Sequence, residues 1–234
     1  MDFEEFLLAR GEQFLIDRIR ACYEHFSPLE ETFHEAALKL YKEYLFTGGM
    51  PRVVEEFCKK QNTQLTRIFK SDILEAYQDD MGKYNKQSEI AKTKVVYNNI
   101  STQLAKENRK FQYGVVKKGY NARYYEESLN WLEASGLVIK TNRLAHIDLP
   151  LKAQRELGIF KIYLFDTGIL AGQFSDADIS AFMQDSLGTY KGMLYENVTA
   201  GLLRGMGYTS YYYEPNTSSE IDFIIEDSDG IVPI

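Results

Sequence analysis

Apolar residues recur at three- and four-residue steps through the first third of the chain, which predicts helices. One or two short helices are predicted within residues 1–26. A longer one spans about 30–46 and ends at Gly48-Gly49, because glycine tolerates the left-handed residue that follows a helix. Pro51 lies where proline is favoured, in the first turn of the next helix. With a further helix over about 63–80, the first third is predicted to be all helical.

Residues 86–148 are predicted to form helices followed by short strands. Apolar positions indicate helices at 90–100 and over about 121–135. Leu137–Lys140 and Leu144–Ile147 are then predicted as a hairpin that turns around Asn142. Helices followed by a short hairpin are typical of a winged helix-turn-helix.

From about residue 159 the pattern becomes that of a mixed helix-and-strand region. Phe160–Phe165 is a largely apolar run, which predicts a buried strand, and a helix follows over 189–205. Strands are predicted at Tyr208–Tyr213 and Ile221–Ile225, and Asp227–Gly230 supplies a hairpin turn into the last four residues. The predicted fold class is therefore mixed α+β and α/β. Its parts are a helical region over 1–85, a winged-helix-like region over 86–150 and an α/β region over 151–234.

Composition and charge indicate a globular protein of a reducing compartment. There is no run of 18 apolar residues and no N-terminal signal of secretory type, so we expect a cytoplasmic protein without a membrane partner. Cys22 and Cys58 are expected to be core thiols. The net charge of −7, from 27 basic and 34 acidic side chains, opposes binding to phosphate backbones unless basic residues cluster locally.

One segment, Leu104–Arg123, has such a cluster. It carries a single acid, Glu107, and interleaved aromatic residues, a combination that phosphate contacts favour. The helix that would enter a DNA groove carries three glutamates, however, which disfavours sequence-specific reading by that helix. The alternative is a partner-facing surface or a solvated loop. The candidate nucleic-acid-binding residues are Lys106, Arg109, Lys110, Lys117, Lys118 and Arg123.

Two carboxylates suggest an incomplete nuclease-type metal site. Glu196 lies on a predicted helix, and Asp222 opens a predicted strand before a hairpin. Metal-assisted phosphodiester hydrolysis needs hard oxygen ligands and a positive group near the nucleophile, and here a second acid and a lysine would fall beyond Ile234. Asp222 is a candidate Mg²⁺ ligand, and Glu196 would add or orient a ligand. The alternative is structural: Glu196 forms a salt bridge and Asp222 satisfies a strand end. We expect no catalysis by this chain alone.

Five short segments stand out as an ordered set of motifs: Tyr44–Pro51 (YLFTGGMP), Ala105–Phe111, Phe160–Leu170, Lys191–Asn197 and Glu220–Phe223. Their order and spacing resemble those of the C-terminal domain of unknown function in a family of prokaryotic AAA+-type P-loop ATPases. The resemblance covers nearly the whole chain. It implies a parent protein with an N-terminal ATPase domain, a winged-helix region and a restriction-endonuclease-like region. The family pattern continues with Glu-Val-Lys after Ile234, so the chain is expected to be a fragment with an incomplete nuclease-like part.

The resemblance also implies what the chain does. No G-x-x-x-x-G-K-[ST] loop is present, so we expect no cofactor in this chain, and ATP and Mg²⁺ would belong to the parent. The implied function is a non-catalytic accessory region that contacts the ATPase domain of the same parent and recognises DNA or a protein partner. Two alternatives stay open: a protein-interaction module without a nucleic-acid role, and a Mg²⁺-dependent nuclease that is complete only in the full-length parent.

Overall fold

The computed structural model describes residues 1–60, 63–84, 87–106, 110–116, 122–184, 188–216 and 219–234. The chain divides into two compact units, each formed from two segments. One unit comprises Met1–Glu75 and Asp166–Leu187, and the other comprises Ala76–Phe165 and Gly188–Ile234. The three predicted regions, 1–85, 86–150 and 151–234, stay predictions.

The described part of the first third is helical, as predicted. Gly48 ends the long third helix with a φ of 80°, and Pro51 begins the next helix. No helix in the described ranges combines the length and apolar character needed to cross a bilayer. The described helices are α1 Phe3–Ala9, α2 Gln13–Glu24, α3 Glu31–Thr47, α4 Pro51–Lys60, α5 Thr63–Tyr84, α6 Gln87–Leu104, α7 Tyr113–Val116, α8 Ala122–Ala134, α9 Thr167–Ala171, α10 Asp176–Met183 and α11 Gly188–Gly205.

One mixed sheet of five strands lies in the second unit, in the order β2-β1-β3-β4-β5. β1 and β3 are parallel, and the other neighbours are antiparallel. The chain is thus a mixed α and β protein, which confirms the coarse fold class. The strands are β1 Val138–Leu144, β2 Arg155–Leu164, β3 Tyr211–Asn216, β4 Ser219–Asp227 and β5 Gly230–Pro233.

The predicted turn around Asn142 is wrong, because β1 runs through it without a break. Asn142 pairs with Phe160 of β2 and with Tyr211 of β3, so both edges of β1 are hydrogen-bonded at this point. The Asn142 side chain also donates to the Glu156 carbonyl at 3.3 Å. Asparagine favours turns locally, but pairing on both sides satisfies the extended backbone and overrides that preference.

An asparagine joins α11 to the sheet. The Asn197 amide accepts from the Leu164 N–H at 2.8 Å and donates to the Leu164 carbonyl at 3.0 Å, and it is fully buried. This pair of bonds fixes which residues of α11 lie over β2. On the sheet, Tyr211 and Ile224 pack with Leu144 and Leu151 in a separate apolar cluster.

A close approach of α3 and α9 organises the first unit. A Cβ atom at Gly48 would lie 2.7 Å from the Gly168 Cα, so neither position accommodates a side chain. Asp166 precedes α9, and its carboxylate accepts from the Ile169 N–H at 2.9 Å and from the Gly49 N–H at 2.7 Å. Parts of two predicted motifs, Tyr44–Pro51 and Phe160–Leu170, therefore meet in one hydrogen-bonded contact.

A buried lysine supports the same contact. Lys70 of α5 is 1% exposed, and its ammonium donates to the Phe46 carbonyl and lies 3.9 Å from the centre of the Phe46 ring. Burial lowers the pKa of Lys70 to about 7, against the opposing effect of Asp166. Burial also raises the pKa of Asp166, while its two backbone hydrogen bonds act in the opposite direction.

Candidate functional site

The two predicted metal-site residues come together around a lysine of β2. The Lys161 side chain is 3% exposed, and its ammonium nitrogen lies within ion-pair distance of three carboxylates. The N···O distances are 2.7 Å to Glu220, 3.4 Å to Glu196 and 3.4 Å to Asp222. The four residues come from β2, α11 and β4 of the second unit. We call this group the Lys161 cluster.

The closed side of the Lys161 cluster is formed by α11 and β2. The Glu196 side chain is 9% exposed, and its carboxylate accepts from the Tyr163 hydroxyl at 2.9 Å. Tyr163 follows Lys161 by two residues, so both side chains point to the same face of the strand. The Asn197 bonds to Leu164 set the rotation of α11 that directs Glu196 toward this face.

The open side of the cluster is formed by β4. The Glu220 and Asp222 side chains are 36% and 50% exposed, so water reaches their carboxylates. The ammonium of Lys161 also lies 5.1 Å from the centre of the buried Tyr212 ring, a cation–π distance. Burial raises the pKa of Tyr212, which therefore stays neutral beneath the lysine.

The cluster has the chemical parts of a hydrolytic site, but the cation at its centre is an ammonium. Carboxylate oxygens are the ligands that Mg²⁺ prefers, and a lysine is the usual positive group near a nucleophilic water. Within the described ranges, however, no group of three or more histidine, cysteine, aspartate or glutamate side chains is arranged to hold a metal ion. As built here, the carboxylates are arranged around Lys161.

The predicted basic segment is only partly described. Lys106 is exposed, two residues after the end of α6. Lys110 forms an ion pair with Glu214 at 2.5 Å, and its backbone bridges to Lys161 of β2. The backbone of Arg123 lies in α8. Three of the predicted cations lie outside the described residues: Arg109, Lys117 and Lys118. The side chain of Arg123 lies outside them as well.

Lys161 and Tyr163 were not predicted as site residues. The signal was present, because a lysine in an otherwise apolar, buried strand requires an acidic partner. Lys70 of α5 is a second buried lysine, but it lies beside polar residues of a helix, so this signal does not apply to it. Neither Cys22 nor Cys58 forms a disulfide, and both are partly buried.

Comparison with known proteins identifies a family without assigning a function. Neither the curated proteins nor the solved structures contain a match to this chain. A family model described as a domain of unknown function, DUF8612, matches residues 38–178. That match covers more than half of the chain, from within α3 through α9, with strands β1 and β2 between them. The chain belongs to the DUF8612 family.

Proposed function

We propose that this chain is a non-catalytic accessory region that recognises a macromolecule on behalf of a P-loop ATPase parent. The observation that carries the non-catalytic part is the Lys161 cluster. The Lys161 ammonium already occupies the place of a cation among the three carboxylates, and its positive charge offsets part of the negative charge that would attract Mg²⁺ to Glu196 and Asp222. Moving a lysine that is 3% exposed would also leave the nearly buried Glu196 without that cation, which is costly.

The ATPase parent is proposed from the order of the five motifs. The chain itself carries no phosphate-binding loop, so the isolated chain should not hydrolyse ATP. A steady-state phosphate-release assay on the purified chain tests this. Hydrolysis that persists through a final size-exclusion step and follows the protein peak would contradict the proposal.

The proposed macromolecule is DNA or a protein, and a binding test of the basic segment distinguishes these two kinds of partner. Lys106 is exposed and available for phosphate, whereas Lys110 is engaged by Glu214. If the segment binds DNA, affinity should fall steeply as salt rises, because phosphate contacts release counterions. Fluorescence anisotropy with a labelled duplex at several salt concentrations measures this slope.

A matched pair of variants makes that experiment specific. Lys106→Gln removes a cation of the basic segment, and Lys152→Gln removes an exposed cation from a short helical turn elsewhere in the second unit. DNA binding through the segment predicts weaker binding and a shallower salt slope for Lys106→Gln only. The same loss in both variants would indicate a general charge effect, and no binding in any of them would favour a protein-interaction module.

A Mg²⁺-dependent nuclease that is complete in the full-length parent is the second candidate. One observation favours it: Lys161 supplies, within this chain, a positive group beside Glu196 and Asp222. In that case Asp222→Ala should abolish Mg²⁺-dependent cutting by the full-length protein. Asp229→Asn, which removes the charge of an exposed residue beyond β4, should leave cutting unchanged. Full-length protein that binds DNA and never cuts it would exclude the nuclease.

A further inference from the structure

The corner between α2 and α3 in the first unit presents two aromatic rings to solvent. The side chains of Tyr23 and Phe26 are 82% and 96% exposed. Neither residue belongs to the apolar cluster through which α2 packs on α1 and α3. One exposed apolar side chain is ordinary on a protein surface. Two rings at one corner, however, leave apolar area in water and add nothing to the stability of the unit.

Phe26 also holds a backbone conformation that phenylalanine disfavours. The Ser27 N–H donates to the Cys22 carbonyl at 2.9 Å, and the Phe26 N–H donates to the Tyr23 carbonyl at 3.2 Å. These two bonds form a Schellman motif at the end of α2, in which Phe26 is the left-handed residue with a φ of 49°. Glycine is preferred there, because a Cβ atom is strained in this conformation. A ring that is both strained and exposed does not serve the fold, and such positions are typical of functional contacts.

The charge around this corner is negative. Residues 21–38 contain four glutamates and no lysine or arginine. Glu30 is paired with Arg18, whereas Glu24 and Glu31 are exposed and form no ion pair within the described ranges. The corner therefore repels nucleic acid, anionic lipid and a second copy of itself. It attracts a protein surface on which lysine or arginine borders apolar side chains.

We infer that the α2–α3 corner docks on a protein partner through a surface of that partner that is apolar and bordered by basic residues. The Tyr23 and Phe26 rings would pack on the apolar side chains, and lysine or arginine of the partner would contact Glu24 and Glu31. Aromatic anchors inside a polar rim are the usual arrangement of a protein–protein contact. Burial of the Phe26 ring would also offset the strain of its backbone. The inference concerns the first unit and does not depend on the proposed accessory function.

The test follows the backbone amide signals of residues 22–27 by NMR in the 234-residue chain. The probes are an amphipathic peptide of leucine and lysine, the same peptide with glutamate in place of lysine, and vesicles of anionic lipid. The inference predicts saturable shifts with the lysine peptide that weaken as salt rises, and none with the glutamate peptide. No shift with the lysine peptide, equal shifts with both peptides, or binding to the vesicles instead would overturn it. Shifts of the same signals as the chain alone is concentrated would assign the corner to a second copy and would also overturn it.

Three variants make the test specific. Phe26→Gly removes the ring and suits the left-handed backbone, so the lysine peptide should bind about tenfold more weakly and the melting temperature should stay unchanged or rise. Glu24→Gln combined with Glu31→Gln should make the binding less sensitive to salt. Met206→Ser is the control: it removes an apolar side chain of the second unit that is 70% exposed, and its affinity should stay within about twofold. Unchanged affinity in Phe26→Gly would overturn the inference. So would a clear fall in the melting temperature of that variant, because the ring would then serve the fold.

Discussion

The substitution Lys161→Met should destabilise the protein strongly and in a pH-dependent way. Methionine retains most of the apolar stem of the lysine, so the change removes the ammonium from the Lys161 cluster with little loss of packing. Lys161 and Glu196 are 3% and 9% exposed, and breaking a buried pair typically costs about 3–5 kcal/mol. Glu220 and Asp222 are much more exposed, so each of their pairs with Lys161 adds at most about 1 kcal/mol. We therefore expect a loss of about 3–5 kcal/mol in the free energy of unfolding at pH 7, with the two exposed pairs adding little.

Urea denaturation followed by circular dichroism measures this loss. Without the ammonium, the charged form of Glu196 is disfavoured by burial, so protonation of Glu196 relieves part of the cost. The difference between wild type and variant should therefore shrink from pH 7 to pH 5. Lys152→Met, at an exposed lysine, should change the free energy of unfolding by less than about 0.5 kcal/mol at either pH.

A double variant separates the ion pair from other effects. Glu196→Gln keeps an oxygen that can accept from Tyr163 while it removes the charge. Lys161→Met combined with Glu196→Gln should cost clearly less than the sum of the single changes, because the two charges interact directly. A loss below about 1 kcal/mol for Lys161→Met, with no dependence on pH and additive single changes, would refute the reasoning. The cluster would then be an ordinary surface ion pair.

Three further predictions concern the contacts that hold each unit together. Gly168→Ala should destabilise the protein by about 3 kcal/mol or more, because the new Cβ would overlap the backbone of α3. Gly205→Ala is the control: a Cβ there has nothing within 4 Å, so the change should be neutral or should stabilise the protein by up to about 1 kcal/mol. Differential scanning calorimetry distinguishes the two variants. Asn197→Ala should cost about 2–4 kcal/mol in urea denaturation, because it leaves the buried N–H and C=O of Leu164 without their partner. The free energy of unfolding of the wild type should rise between pH 7 and pH 10. In that range, between the lowered pKa of Lys70, about 7, and its ordinary value of 10.5, the unfolded state binds more protons than the folded state. Lys70→Met should remove the rise, and an identical slope in the variant would contradict the assignment.

Local sequence signals predicted most of the helices and their ends. Periodic apolar positions placed α3, α8 and α11 within a few residues of their observed bounds, because each helix buries one stripe of side chains. Gly48 marked the end of α3, and the Asp227–Gly230 turn marked the hairpin of β4 and β5. These features depend on backbone preferences that a few neighbouring residues determine.

The strand assignments failed where pairing across the sheet decided them. β2 begins at Arg155, five residues before the apolar run. Its first half is largely solvent-accessible, so no apolar pattern marks it, and its pairing with β1 makes it part of the strand. β1 continues through Asn142 for the same reason. The parallel pairing of β1 with β3 joins segments about 70 residues apart, and no local pattern encodes it.

The Lys161 cluster shows why only some residues of a site can be predicted from a sequence. Glu196 and Asp222 could be selected because each lies at a recognisable place, on an amphipathic helix and near the start of a strand. Lys161 could not, because β2 is separated from β4 by two strands, a distance of roughly 14 Å at about 4.8 Å per strand. Lys161 lies across the sheet face over the ring of Tyr212, and the Glu220 and Asp222 side chains reach toward it from β4. Its register partner on β1 is Thr141, a small residue whose hydroxyl bonds to Ser210 of the loop before β3 at 3.0 Å, so no bulky side chain stands in the path. The position of the cation therefore depends on strand order and on a small residue in a third strand, and both become apparent only when the sheet is assembled.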